Sequence, residues 1–283
     1  MKGNLWNMLE RADKEGYAVP AFNYSDVWDL LAILSAAGEA RAPVMLACNP
    51  LVAARIGTDI CGAMGKAAME RATVQTVHHL DHAFDPAMCL DAIRDGYASV
   101  MIDASKYELD ENIRVVGKVV PAAHAAGVHV EAEIGRIRGK GIEGDFKGGD
   151  YLVRPEEAVR LVEETHVDSL AVGIGTAHGF YEGKPEINFE RLKEVNGAVK
   201  VPLVLHGGTG IPREAVRRAI SLGINKVNVG TIIHCTYMNG MREELERLGP
   251  NPYTLDVVKP VTEKIKAVAL DWIGTCMCEG KGV

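Results

Sequence analysis

The chain has 283 residues, 47% hydrophobic and 24% charged, which excludes a disordered protein and suffices to bury a large core without disulfide staples. Its net charge is −7, with 31 basic residues scattered among 38 acidic ones, so no basic stripe points to nucleic acid and an anionic substrate needs a local cationic site. No stretch is long and apolar enough to span a bilayer, so no membrane partner is expected, and Met1-Lys2-Gly3-Asn4-Leu5-Trp6 holds no apolar signal core.

In chain order, short apolar runs alternate with amphipathic segments. Residues 18–22 and 43–47 read as the first two strands, separated by a helix over 30–41 with apolar residues at a 3.6 period. Residues 75–78 and 98–102 follow, and Asp85-Pro86 opens the helix between them with a cap and a proline at the first position. Residues 128–132, 169–173, 201–205 and 224–229 complete eight strand candidates. Arg154-Pro155-Glu156-Glu157 and Ile211-Pro212-Arg213-Glu214 start two later helices, the acids favoured by the helix dipole. Gly96, Gly127 and Gly223 close helices ahead of strands, where left-handed backbone is cheap. After Leu248 an extension carries a helical core over 258–273.

Eight β/α units without a linker predict one domain over 1–283. The expected class is α/β, a (β/α)8 TIM barrel with a C-terminal helical extension, an architecture of roughly 250 residues. An open doubly wound sheet is the alternative. Residues 135–151 break the rhythm, with Gly135, Gly139, Gly141, Gly144, Gly148 and Gly149 among Arg136, Arg138, Lys140 and Lys147. They read as a mobile active-site loop or as a plain surface excursion. The six cysteines are irregularly spaced, Cys276 and Cys278 being the only close pair, and read as reduced thiols in a cytoplasmic protein.

Three histidines sit at the ends of apolar runs: His82 in His78-His79-Leu80-Asp81-His82, His178 in Gly175-Thr176-Ala177-His178-Gly179, and His206 in Leu203-Val204-Leu205-His206-Gly207-Gly208. Three imidazoles converging from three strand mouths leave one coordination position open, the pattern of catalytic zinc. Asp81 beside His82 is a candidate proton donor or acceptor, or else caps the next helix. Asp103 and Glu133 end the fourth and fifth runs on the same face, as partners that orient imidazoles or as ligands of a second metal position. Gly207-Gly208-Thr209-Gly210 and Asn228-Val229-Gly230-Thr231 follow the seventh and eighth runs, where barrels often bind phosphate on backbone N–H groups and helix N-termini.

These residues carry a resemblance. The chain resembles the class II, zinc-dependent ketose-phosphate aldolases, which include fructose- and tagatose-bisphosphate aldolases. The most specific blocks are His79-Leu80-Asp81-His82, Ser99-Val100-Met101-Ile102-Asp103-Ala104-Ser105, Val130-Glu131-Ala132-Glu133-Ile134-Gly135, Gly173-Ile174-Gly175-Thr176-Ala177-His178-Gly179 and Leu205-His206-Gly207-Gly208-Thr209-Gly210-Ile211-Pro212. The resemblance implies a barrel, a homodimer or homotetramer, and reversible cleavage to dihydroxyacetone phosphate and an aldehyde. It implies Zn2+ on His82, His178 and His206, polarising the ketone oxygen and stabilising the enediolate. It also implies Asp81 at the C4 hydroxyl proton, Asn23 in contact with substrate, and Gly179, Gly207, Gly208, Thr209, Asn228 and Thr231 around the C1 phosphate. Asp103 and Glu133 match the family's alternative metal position, and glycines around Gly179 and Gly207 imply a monovalent cation, Na+ or K+, beside the phosphate.

The chain departs from the family at the far end of the substrate. Bisphosphate-cleaving members usually carry Asp-Pro-Arg near the C-terminus, its arginine gripping the second phosphate in a neighbouring active site. This chain has Asn251-Pro252-Tyr253, and tyrosine is no substitute for a bidentate guanidinium. The family's loop base corresponds best to Glu143 in Gly141-Ile142-Glu143-Gly144-Asp145, and Arg136 and Arg138 are extra cations. After Thr231 the family commonly has an acid, where this chain has Ile232. The expected substrate is therefore a ketose 1-phosphate, with a carboxylate or sulfonate at C6 held by Arg136 or Arg138 among the options. A standard fructose or tagatose 1,6-bisphosphate aldolase is the alternative. A metal-dependent barrel hydrolase and a catalytically silent barrel are the competing classes; the phosphate cradles argue against the first, and Asp81 with three histidines against the second.

Overall fold

The computed structural model describes residues 3–135, 137, 152–177, 179 and 187–282. Its elements in chain order are α1 (Leu5–Glu15), β1 (Val19–Asn23), α2 (Val27–Ala40), β2 (Val44–Cys48), α3 (Pro50–Ile56), α4 (Thr58–Arg71), β3 (Thr76–Ala83), α5 (Pro86–Arg94), β4 (Ser99–Ile102), α6 (Leu109–Val116), α7 (Val120–Ala125), β5 (His129–Ile134), α8 (Pro155–Thr165), β6 (Ser169–Val172), α9 (Phe189–Ala198), β7 (Leu203–Leu205), α10 (Arg213–Ile220), β8 (Ile224–Val229), α11 (Thr231–Leu248) and α12 (Thr254–Thr275).

The strands pair in parallel in sequence order, and β8 closes on β1 through Val19↔Lys226, Pro20↔Val227, Ala21↔Asn228 and Phe22↔Val229. That pairing makes the sheet a barrel and rules out the open doubly wound alternative. Each strand buries both faces, as a sheet filled inside and covered by helices outside must. The outward set, such as Val130 and Ala132 on β5, packs in the large apolar layer under the helices. Inside, Met101, Ala171 and Val204 form a small apolar cluster of their own.

The structure departs from the expected elements most in three places. The helix α1 precedes the first strand; Asn4 caps it by accepting from the Asn7 N–H at 3.2 Å, and Leu5, Met8, Leu9 and Ala12 bury one face at helical spacing. It lies across the N-terminal ends of the strands, where the Trp6 indole donates to Asp168 at 2.8 Å. The strand β3 runs five residues past its expected end, through the Asp81-His82 pair. The helix α12 is longer than the expected core and packs on α11 and α2. Beyond it, Gly280 and Gly282 N–H groups bond to Ala40 and Arg41 carbonyls, and Gln75 N–H bonds to the Gly282 carbonyl. The end of the chain is thus tied between α2 and β3.

Four helix ends match their sequence signals. Asp85 caps α5 by accepting from the Ala87 N–H at 2.9 Å, with Pro86 as the first helical residue. Gly96, Gly127 and Gly223 have φ of +90°, +66° and +109°. No helix among the described residues is long and apolar enough to cross a membrane.

Candidate active site

The site is built at the C-terminal ends of the strands, the face on which TIM-barrel enzymes place their chemistry. Residues 79 and 81 of β3 point inward by strand alternation, and residue 82 should then point outward. It does not, because His82 has φ +47°, in the left-handed region. The register with β4 shifts at the same place, between Leu80 and Ala83. The left-handed residue turns two consecutive side chains, Asp81 and His82, into one pocket. Such a conformation in a non-glycine residue costs about 1–3 kcal/mol and concentrates at functional sites.

The His82 Nδ1 faces Asp103 Oδ2 at 3.2 Å and Glu133 Oε2 at 4.0 Å. The His206 Nε2 faces Glu131 Oε1 at 2.9 Å. Carboxylates only accept, so each imidazole carries its proton on the nitrogen that meets the acid. The other two nitrogens, His82 Nε2 and His206 Nδ1, lie 2.6 Å apart, and the two rings meet edge to face. At that separation the two nitrogens are hydrogen-bonded, one donating to the other, and an ion in place of that proton would face both lone pairs in one small region, flanked by Asp81. Two ligand triplets are close enough to share an ion: Asp81, His82 and His206, and His82, Asp103 and Glu133, all buried. Converging imidazole lone pairs backed by carboxylates are the donor set of a divalent transition metal, so the residues fit one.

Asp81 is fixed by two amides: Asn23 Nδ2 donates to one carboxylate oxygen at 2.8 Å and Asn228 Nδ2 to the other at 2.9 Å. Burial works against its ionisation, but the positive potential of His82, His206 and Lys226 and the Asn23 hydrogen bond together hold it below the ordinary carboxylate range. Burial also opposes ionisation of Asp103, and the hydrogen bond and charge of His82 together with the hydrogen bonds from Ser105 outweigh it.

The glycine segments lie beside this pair. Gly207 has φ +72°, and a Cβ there would fall 2.2 Å from the Ala177 carbonyl oxygen, so the loops after β6 and β7 touch backbone to backbone. A Cβ on Gly208 would sit 2.9 Å from the Asn228 carbonyl oxygen, and one on Gly230 2.7 Å from Asn23 Oδ1. Thr209 Oγ1 accepts from the Ile232 N–H at 3.2 Å, joining the two segments. The helix α11 begins at Thr231 after Gly230, which has no side chain to cap it, so apart from the Ile232 N–H on Thr209 its first N–H groups lack a side-chain cap. Exposed N–H groups at a helix start suit an anion. Gly179, at φ +84°, is the remaining described glycine of the expected cradle. Asn228, expected at the phosphate, donates its Nδ2 to Asp81.

His178, Arg136, Arg138 and Glu143 lie outside the described residues. Three inward-facing groups under the site escaped the sequence reading: His79, Glu131 and Lys226. Lys226 Nζ donates to Glu131 Oε2 at 2.6 Å, and His79 Nδ1 meets Ser99 Oγ at 2.8 Å. Strand alternation was the available signal, since residues 131 and 133 share a face, as do 226 and 228.

A closed parallel barrel with a buried carboxylate, two converging histidines and glycine-rich loops at its C-terminal face defines a barrel with a site that could hold a metal ion. The profile of the family described as fructose-bisphosphate aldolase class-II matches residues 3–281. The chain is 40% identical over 272 residues to a fructose-bisphosphate aldolase of Geobacillus stearothermophilus, covering 94% of each. Among solved structures it resembles the YdjI aldolase of Escherichia coli K12, with a TM-score of 0.89, 32% identity and full coverage of both chains. It also resembles a putative fructose-1,6-biphosphate aldolase of Coccidioides immitis, with a TM-score of 0.91 and 29% identity, covering 99% and 98% of the two chains. The chain belongs to the class II fructose-bisphosphate aldolase family. It is an aldolase, a lyase of a metal-dependent class.

Proposed function

We propose that this aldolase cleaves a ketose 1-phosphate reversibly to dihydroxyacetone phosphate and an aldehyde. The observation that carries the reading is Asp81, held by Asn23 and Asn228 beside the meeting point of His82 and His206 and next to the Gly207–Thr209 segment. His82 and His206, with His178, are the proposed ligands of a divalent ion, zinc by ligand chemistry, and Asp103 and Glu133 offer it a second position. When bound, the ion supplies Lewis-acid polarisation of the substrate's ketone and hydroxyl oxygens.

The chain's own residues do the rest. Backbone N–H groups of Gly207, Gly208, Thr209 and the start of α11 at Thr231 hold the C1 phosphate, with Gly179 alongside. A monovalent cation near Gly179 and Gly207 belongs to the same proposal. Asp81 accepts the C4 hydroxyl proton as the C3–C4 bond breaks; the aldehyde leaves with C4, and the bonding electron pair stays on C3. Glu143 is the proposed donor of the proton that then returns to C3. The two amides on Asp81 keep its carboxylate aimed and prevent rotation during transfer.

For the distal end, Tyr253 occupies the turn between α11 and α12 and is 68% exposed, where bisphosphate-cleaving members carry arginine. This supports a C6 group other than phosphate, a carboxylate or sulfonate read by Arg136 or Arg138. The 40% identical relative is named for fructose bisphosphate, which favours a standard fructose or tagatose 1,6-bisphosphate as the second reading. The described cysteines are all free, in keeping with a reducing, cytoplasmic setting. Assembly as a homodimer or homotetramer is part of the same proposal.

The test is release of dihydroxyacetone phosphate from fructose and tagatose 1-phosphates, their 1,6-bisphosphates, and analogues with carboxylate or sulfonate at C6. Release from the 1-phosphates or the altered analogues, with poor use of bisphosphates, is expected. A strong preference for a bisphosphate overturns the primary reading in favour of the second.

A further inference from the structure

We infer that the buried pair Glu131–Lys226 is a positioning device for His206, holding that imidazole in the tautomer and orientation in which Nδ1 faces His82. The inference rests on the proposed metal role of His206.

The barrel interior of this fold is ordinarily filled by branched apolar side chains. Here Met101, Ala171 and Val204 supply such filling, yet Glu131 on β5 and Lys226 on β8 are fully buried beside it. A buried ion pair seldom stabilises a fold more than apolar residues of the same volume would. Packing alone therefore gives no reason for this one. Its second contact does. Glu131 uses one oxygen for Lys226 Nζ at 2.6 Å and the other for His206 Nε2 at 2.9 Å.

The geometry has a directional consequence. A carboxylate between a lysine and an imidazole can only accept from both. It therefore fixes the His206 proton on Nε2 and leaves the Nδ1 lone pair turned toward His82 Nε2, 2.6 Å away. Lys226 in turn keeps Glu131 from swinging, and its ammonium lies 3.5 Å from His79 Nε2. The Ser99 hydroxyl holds the far side of that ring. Side chains from four strands thus converge on the orientation of one imidazole. Partners of this kind typically govern metal affinity by 10- to 100-fold.

The test compares wild type with Glu131→Gln and with the neutral double variant Glu131→Leu/Lys226→Met. Zinc affinity is read by chelator competition and ligand geometry by the absorption spectrum of the cobalt-loaded protein. A single amide oxygen cannot serve both donors, so E131Q should bind zinc about 10- to 100-fold more weakly, with an altered cobalt spectrum. Zinc affinity within twofold of wild type and an unchanged cobalt spectrum, in a variant that unfolds cooperatively, overturn the inference. The double variant applies the same criterion if E131Q does not fold.

A measurement on the wild type stands apart from folding. Long-range 1H–15N spectra of metal-free, histidine-labelled protein, assigned with His206→Asn, should show His206 protonated on Nε2. A proton on Nδ1 overturns the inference. Dihydroxyacetone phosphate release by the same wild type separates the two ideas. Weakened zinc binding in E131Q supports the positioning role whether or not wild type cleaves the sugar phosphates; failure of wild type on that panel counts against the proposed function alone.

Discussion

His82 and His206 meet nitrogen to nitrogen at 2.6 Å across the mouth of the barrel, each pinned from behind by a carboxylate. Neither ring can turn without losing its acid. The relationship separates the residues proposed to hold an ion from Asp81, proposed to take the C4 hydroxyl proton.

Asp81→Ala should therefore retain metal and lose cleavage, with kcat falling about 10²- to 10⁴-fold as expected for a lost general acid–base. His206→Ala should lose metal and activity together. Elemental analysis beside a coupled assay of dihydroxyacetone phosphate checks both. An Asp81→Ala enzyme that keeps its kcat removes Asp81 from the mechanism.

Gly207→Ala tests the cradle. The added Cβ must face a backbone oxygen at 2.2 Å and adopt φ +72°, so the loops after β6 and β7 have to part. A destabilisation of about 1–3 kcal/mol is expected, with a raised KM for every phosphorylated substrate. Thermal unfolding and steady-state kinetics report the two effects, and an unchanged KM would move the phosphate elsewhere.

Acid stability should depend on His129. Burial pushes its imidazole down to about 4, and neither ring nitrogen has a hydrogen-bond partner among the described residues. In the unfolded chain it titrates near 6.5. The folded state favours the neutral ring, so its stabilising contribution is complete above pH 6.5. That contribution falls away as the pH drops toward 4, because the unfolded state takes up the proton first. One such group gives a slope of at most about 1.4 kcal/mol per pH unit. His78, pushed down to about 3 by burial, extends the same trend to lower pH. Urea unfolding between pH 4.5 and 7.5 should show stability falling with acid, and His129→Leu should make the slope shallower by about one proton. An identical slope in the variant excludes His129 as a source.

Tyr253→Arg addresses the distal group. A guanidinium that reaches a second phosphate contributes about 1.5–3 kcal/mol, so the preference for bisphosphate over 1-phosphate should rise about 10- to 100-fold. Equal kcat/KM ratios in variant and wild type would show that the distal anion is read elsewhere on the protein.

Much of this protein was legible in one dimension. The alternation of apolar runs with capped helices predicted the barrel, since the period of burial follows from backbone geometry alone. His82, Asp81, His206, Asp103 and Glu133 were legible because they stand where apolar runs stop, at or just past the C-terminal ends of strands. Close approach explains the glycines: Gly207 and Gly230 leave no room for a side chain. Hidden from that reading was whatever depends on closure. Residues 131, 206 and 226 are far apart in the chain, and only the β5, β7 and β8 strands of a closed barrel bring them into one hydrogen-bonded line. The inward turn of His82 was equally invisible, because strand alternation assigns it outward and a left-handed backbone angle overrides that rule. Local sequence sets which face each residue takes within its own strand; which side chains share that interior is decided by the register in which eight strands close.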